Sequence, residues 1–189
     1  MMDEIRPIPD EWNSQKLHYF VNQGMIELGR GNIISHDDMD EAPGKYPVYS
    51  SSATHEGKIG AYGKYMFDEE LITWSIDGGG KFFYRPRHKF SVTNVSGYLR
   101  LWTDVLDYRW LYYLLDLQQQ HLTFDYTYKA HPSVIIDRYE VFNVPILEQR
   151  RIADILDAAD AAIHETERVI AKLRQVKRGL LHDLLTRGL

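Results

Sequence analysis

Along the C-terminal forty-odd residues the apolar positions return every three or four steps. Written as heptads, Ile152, Ala159, Thr166, Leu173 and Leu180 take the a positions, and Ile155, Ala162, Val169, Val176 and Asp183 the d positions. Asp154, Glu165, Lys172, Arg174 and Lys177 fall between them as a polar face of mixed sign. No proline interrupts the run after Pro145, and its one interior glycine, Gly179, stands near the end. The periodicity predicts a single helix over about 146–187, roughly 60 Å long at the α-helical rise. A d column that stays apolar through four of five heptads suits a helix–helix seam, and Ala159 with Ala162 would admit a partner helix closely. Two arrangements answer to this pattern. The helix folds back on its own domain, or it protrudes and takes a partner helix from another repeat or another chain.

Upstream the pattern shortens. Asp10 reads as the N-cap of a short helix through Trp12, Leu17 and Phe20. Met25–Leu28 reads as a brief strand ended by the turn Gly29–Asn32, and Asp37, Asp38, Asp40 and Glu41 as a solvated loop before Pro43-Gly44. Aromatic and β-branched runs predict strands at Tyr46–Tyr49, Gly60–Tyr65, Leu71–Ser75, Lys81–Tyr84, Phe90–Thr93 and Gly97–Trp102. Asp107 caps a helix to about Gln120, with Trp110, Leu111, Leu114, Leu115 and Leu117 toward the core. An aromatic polar loop follows over Phe124–Lys129, then strand character at Val134–Ile136 and Tyr139–Val144 before Pro145 opens the long helix. The fold class is therefore α+β: an irregular twisted β-rich domain with a few helices over 1–145, then one long coiled-coil-forming helix over 146–189.

Composition narrows the chemistry. With 189 residues, 44% hydrophobic and 13% aromatic, the chain can bury a real core. Cysteine is absent, which removes disulfides, thiol nucleophiles and cysteine-based zinc sites and fits a reducing cytoplasm. No apolar run approaches a membrane span. A net charge of −5 leaves any nucleic-acid binding to local patches. Gly57-Lys58 and Asp77-Gly78-Gly79-Gly80-Lys81 lack phosphate-loop spacing, and the eight histidines form no metal-binding pair. No serine elbow, dinucleotide or S-adenosylmethionine glycine fingerprint, or Asn-Pro-Pro motif of an amino-methyltransferase is present. Gly78–Gly80 reads as a tight turn near a sheet edge, where another backbone could also approach closely. Lys81-Phe82-Phe83-Tyr84-Arg85-Pro86-Arg87-His88-Lys89 interleaves cations with aromatics. It reads equally as a nucleic-acid surface and as a strand whose cations snorkel into water.

The junction Val144-Pro145-Ile146-Leu147-Glu148-Gln149-Arg150-Arg151-Ile152-Ala153 resembles the start of the conserved helix in specificity subunits of type I restriction-modification systems. The similarity runs on through Ile155–Asp160, Lys172–Gln175 and Gly179–Gly188, and more loosely through Tyr46–Ser51 and Ile76–Gly80. The resemblance implies a non-catalytic subunit that reads one half of a bipartite site in double-stranded DNA. It also implies that the long helix acts as spacer and docks methyltransferase subunits. S-adenosylmethionine belongs to those partners, no cofactor belongs to this chain, and a motor-nuclease subunit joins through them. One recognition domain and one helix depart from the family's paired arrangement, so a half-size subunit or an N-terminal half is expected. A homodimer through the helix seam is the economical partner, with an inverted-repeat target following from its symmetry.

Loop placement and donor chemistry select the DNA-contact candidates. They are Ser51, Ser52, Thr54, His55 and Lys58 in one loop, Lys81, Arg85, Arg87 and Lys89 around the glycine turn, and Asn94, Tyr126 and Lys129. Two rivals stay open: a coiled-coil adaptor whose head binds protein, and an enzyme assembled from scattered residues such as His55, Asp77 and His88.

Overall fold

The structure, a computed structural model, describes residues 12–51, 55–77, 79–124 and 129–188. The chain divides into two units, Met1–Arg150 and Arg151–Leu189. The first unit is built on a six-stranded sheet. It contains β2 (Ile26–Arg30), β3 (Tyr46–Tyr49), β4 (Lys58–Tyr62), β5 (Phe67–Ser75), β6 (Phe82–Val92) and β7 (Ser96–Leu101), in the order β2-β7-β5-β6-β3-β4. All neighbours run antiparallel except β3 and β6. A second, two-stranded sheet pairs β1 (Ser14–Lys16) with β8 (Glu140–Phe142). The helices are α1 (Leu17–Asn22), α2 (His36–Glu41), α3 (Tyr108–Gln119), α4 (Pro132–Arg138) and α5 (Ile146–Arg187). The fold is thus the α+β class the sequence predicts, a β-rich domain with few helices and one long C-terminal helix.

The centre of the sheet is β5, in which every residue from Leu71 to Ser75 is buried. Burial on both faces explains its near-continuous apolar run. Trp74 is the largest side chain in this core, and its indole N–H donates to the Ala130 carbonyl at 2.7 Å. Its cross-strand partner is Gly97, where an added Cβ would stand 2.1 Å from the indole ring. The same pairing of glycine with a ring recurs on the neighbouring strands. Gly29 faces Tyr98, and a Cβ there would meet its phenol ring at 2.3 Å.

The first turn of α5 is bound into the first unit by Gln149, which is 1% exposed. Its amide donates to the carbonyls of Val105 (2.9 Å) and Val144 (2.7 Å), and its oxygen accepts from the Asp107 N–H at 2.8 Å. Asp107 also caps α3, accepting from the backbone of Arg109 and Trp110. Gln149, in the Glu-Gln-Arg run at the head of the long helix, is therefore a hydrogen-bonding device within the first unit.

Several elements differ from the sequence expectation. Residues 14–16 are strand, because they pair with β8, and the helix starts only at Leu17; Asp10 lies outside the described residues. The acidic stretch is helix α2: Ser35 and Asp38 form a capping box, with hydrogen bonds at 3.1 and 2.7 Å, and Met39 is buried. The supposed turn at Gly29-Arg30 continues β2, since Gly29 makes room for Tyr98. The two short strands at 81–93 are one strand, β6. Its register passes from Leu71↔Arg85 to Glu69↔His88, so Pro86 and Arg87 together face Glu70 in a bulge. The bulge absorbs the N–H that proline lacks. Val134–Ile136 lies in helix α4, where Pro132 stands in the first turn and Ile135 is buried. In α3, Trp110, Leu111 and Leu115 are buried as expected, whereas Leu114 is half-buried and Leu117 is 56% exposed.

Candidate nucleic-acid interface

Cations and tyrosines meet where β3, β4 and β6 come together. Tyr46 and Tyr62 are cross-strand partners, and the Tyr46 and Tyr65 rings stand edge to face at 5.1 Å. The Lys89 ammonium lies 4.6 Å from the Tyr65 ring centre and 5.9 Å from that of Tyr46; Lys64 lies 5.9 Å from Tyr62. The Tyr65 phenol beside it holds the pKa of Lys89 above the usual lysine range. Arg87 is exposed and meets Asp68 at 3.7 Å. Ring faces thus hold ammonium groups toward solvent, an arrangement that can donate to phosphate oxygens and offer π-faces to sugar or base.

Arg85 behaves differently from its neighbours in sequence. It is 2% exposed. Its guanidinium stacks 3.6 Å from the Tyr49 ring centre and 4.9 Å from that of Phe83. Nε donates to Thr73 Oγ1 at 3.1 Å, Nη2 donates to the Glu56 carbonyl, and Nη1 stands 3.9 Å from the Glu56 carboxylate. Burial pulls its pKa down to about 10, a value at which it remains a cation near neutrality. Tyr49 continues the cluster by donating its hydroxyl to His88 Nε2 at 3.2 Å, while His88 Nδ1–H donates to the Pro86 carbonyl at 2.6 Å.

The remaining predicted contacts fall in several places. Lys58 is exposed at the start of β4, and Lys81 is exposed beside the Phe83 ring at 5.4 Å. Ser51 turns inward, donating its hydroxyl to the Val95 carbonyl, and Ser75 donates to the Ser51 carbonyl at 3.3 Å. Asn94 accepts two bonds from Arg30 on its carbonyl, at 2.6 and 3.0 Å. Lys129 pairs with Asp77 at 2.9 Å. Ser52, Thr54, Tyr126 and the side chain of His55 lie outside the described residues. The glycine turn is also occupied from within. A Cβ on Gly80 would meet the Phe124 ring at 2.6 Å, and Gln119 donates to the Gly79 carbonyl at 2.6 Å. Gly78 lies outside the described residues; Gly79, at φ 85°, has open space beside it.

Tyr46, Tyr62, Lys64 and Tyr65, which complete this patch, are not among the contact residues the sequence singled out. The Tyr62-Gly63-Lys64-Tyr65 run carries the signal, a cation between two rings, but it gains meaning only once Lys89 is folded onto it. On α5, Ile152 is half-buried and Ile155, Ala159, Ala162, Thr166, Val169, Leu173, Val176 and Leu180 are all exposed. Among the described residues no helix is long and apolar enough to cross a membrane, and no three His, Asp or Glu side chains gather as a metal-holding group.

Comparison with known sequences and structures places a sheet-rich domain followed by a long helix within one family. Residues 9–175 match the family model of the type I restriction modification DNA specificity domain. The chain belongs to that family. S.MpnORF285P of Mycoplasma pneumoniae, named as a type I specificity subunit, is 33% identical over 168 residues, covering 85% of this chain and 54% of that one. The type I restriction enzyme MpnII specificity subunit of the same organism is 28% identical over 166 residues, covering 85% and 49%. Among solved structures, the S subunit of a type I restriction-modification system from M. genitalium superposes with a TM-score of 0.64 at 19% identity, over 97% of this chain and 48% of that one. The chain spans about half the length of these relatives.

Proposed function

We propose that the chain is a non-catalytic DNA-recognition unit of a type I restriction-modification complex, with residues 1–145 reading one half of a bipartite site in double-stranded DNA. The long helix, 146–189, acts as spacer and seam. It pairs with a second copy of itself or an equivalent helix and docks methyltransferase subunits, which carry the S-adenosylmethionine; a motor-nuclease subunit joins through them. Such a subunit works in the cytoplasm. The observation that carries this reading is the Lys64–Lys89–tyrosine surface on a domain of the DNA specificity family. On it Lys64, Arg87 and Lys89 act as phosphate contacts, as does Lys81 beside the Phe83 ring, while Lys58 at the start of β4 reaches a base edge.

The test is duplex binding across a potassium chloride series, with wild type and Lys64→Glu/Lys89→Glu. A DNA reader loses affinity on charge reversal, and the slope of log K against log salt falls by roughly 0.9 for each phosphate contact removed. A head that binds protein instead is indifferent to both changes. Unchanged affinity and slope would overturn the assignment of this surface.

A further inference from the structure

We propose that Arg85 is a positioning residue for base reading: buried behind the surface, it ties the turn His55–Gly57, and with it Lys58, to the central strand β5. The inference rests on the DNA-reading function proposed above. The guanidinium spans two elements. On one side it donates to Thr73 on β5, and on the other to the main-chain carbonyl of Glu56, while Tyr49 and Phe83 cover its faces.

An ion pair does not account for a cation there. The carboxylate nearest to it is 3.9 Å away, and that side chain is 80% exposed. What compensates the charge is instead its hydrogen bonds to Thr73 and the Glu56 carbonyl and the faces of Tyr49 and Phe83. An apolar side chain cannot aim a carbonyl, and Glu56 has a carbonyl that needs aiming. Glu56 has φ 54°, the one positive value at a non-glycine among the described residues, and Gly57 follows at 81°. Such a conformation persists only where neighbouring contacts over-determine it. Two contacts do so: Arg85 on the Glu56 carbonyl, and Ser50 N–H on the Gly57 carbonyl at 2.8 Å. Lys58 begins β4 directly after this turn, so its register against DNA is set by a residue that, at 2% exposed, cannot itself reach a phosphate.

The experiment enriches duplexes from a random 20-base-pair pool with the full chain. It then measures affinity for the enriched duplex and for an unrelated one across the salt series, for wild type, Arg85→Met, Thr73→Val and Lys89→Gln. Arg85→Met is expected to weaken the enriched duplex at least tenfold and the unrelated one less than twofold, with an unchanged salt slope. Thr73→Val, which deletes only the hydroxyl that anchors Arg85, shifts the same ratio by less. Lys89→Gln weakens both duplexes and lowers the slope by roughly 0.9. A slope that falls with Arg85→Met makes it a phosphate contact, and equal weakening of both duplexes makes it a structural residue only; either overturns the proposal. If Arg85→Met does not fold, Thr73→Val decides by the same two criteria. A wild type that enriches a sequence, with an Arg85→Met chain of equal discrimination, sinks this inference alone. A wild type that binds no duplex sinks the DNA-reading function and the inference with it.

Discussion

Leucine and isoleucine meet opposite fates in the two units. In the sheet, Leu71, Ile72 and Leu99 are wholly buried, whereas on α5 Ile155 is 70%, Leu173 62% and Leu180 55% exposed. The sheet satisfies its apolar surface with its own layers. The helix repeats its apolar residues in a heptad column and leaves them exposed, the pattern that the proposed helix–helix seam would use. Breaking that difference calls for substitutions that a finished core and the proposed seam answer differently. Leu173→Glu/Leu180→Glu should have the largest effect of all. Two seam leucines per chain, each worth about 1.5–3 kcal/mol for full burial and 62% and 55% exposed here, amount to about 4 kcal/mol or more per dimer, or roughly three decades in the association constant. Light scattering should show a wild-type dimer and a folded double-mutant monomer. A wild-type monomer at every usable concentration would refute the seam.

A pair of glycines sharpens the contrast. Gly97 lies under the Trp74 ring, and a methyl there would stand 2.1 Å from it; Gly179 on α5 has nothing within 4 Å. Gly97→Ala forces the largest buried side chain out of place and should cost about 1–3 kcal/mol. Gly179→Ala removes backbone freedom from the unfolded chain at no steric expense and should stabilise the helix by about 0.5–1 kcal/mol. Thermal melts followed by helical circular dichroism and by tryptophan fluorescence separate the two. Equal, same-sign shifts would contradict the steric account of Gly97.

What the sequence made legible divides along the same line. The long helix is a one-dimensional object, and its period alone marks Ile146–Arg187. Strand positions were visible too, but not the joining of 82–92 into one strand, because Pro86 is harmless only in a bulge whose partner, Glu70, lies elsewhere in the chain. Val134-Ile135-Ile136 looked extended because β-branching signals strand in isolation; Pro132 in the first turn and the burial of Ile135 override it. The outer patch was hidden for a related reason. Its members come from residues 46, 62–65 and 87–89, and only the parallel β3–β6 pairing brings Lys89 to Tyr46. Arg85 sat in a run of surface-like cations, and nothing local distinguishes a buried guanidinium from its exposed neighbour Arg87.

The smallest expected effect comes from comparing how each unit holds charge. On α5 the pair of Arg168 with Glu165, at 2.8 Å, is exposed, and such pairs contribute little. In the sheet, Arg100 joins two carboxylates at once, Glu27 at 3.0 Å and Glu69 at 2.7 Å, and lies near the rings of Phe67, Tyr98 and Trp102. Glu27 accepts further bonds from Trp102 Nε1 at 2.9 Å and the Tyr98 hydroxyl at 3.1 Å. Burial pushes the Glu27 carboxyl up, but the donors Trp102, Arg100 and Tyr98 outweigh it and hold its pKa below the ordinary 4.5. A depressed carboxylate adds stability that is fully present above its unfolded value and is lost as pH falls through its folded value. Glu27→Gln should therefore melt below wild type near neutral pH, with the gap closing as pH drops below about 4.5. A gap that stays constant down to pH 3 would mean that Glu27 acts through its shape and not through its charge.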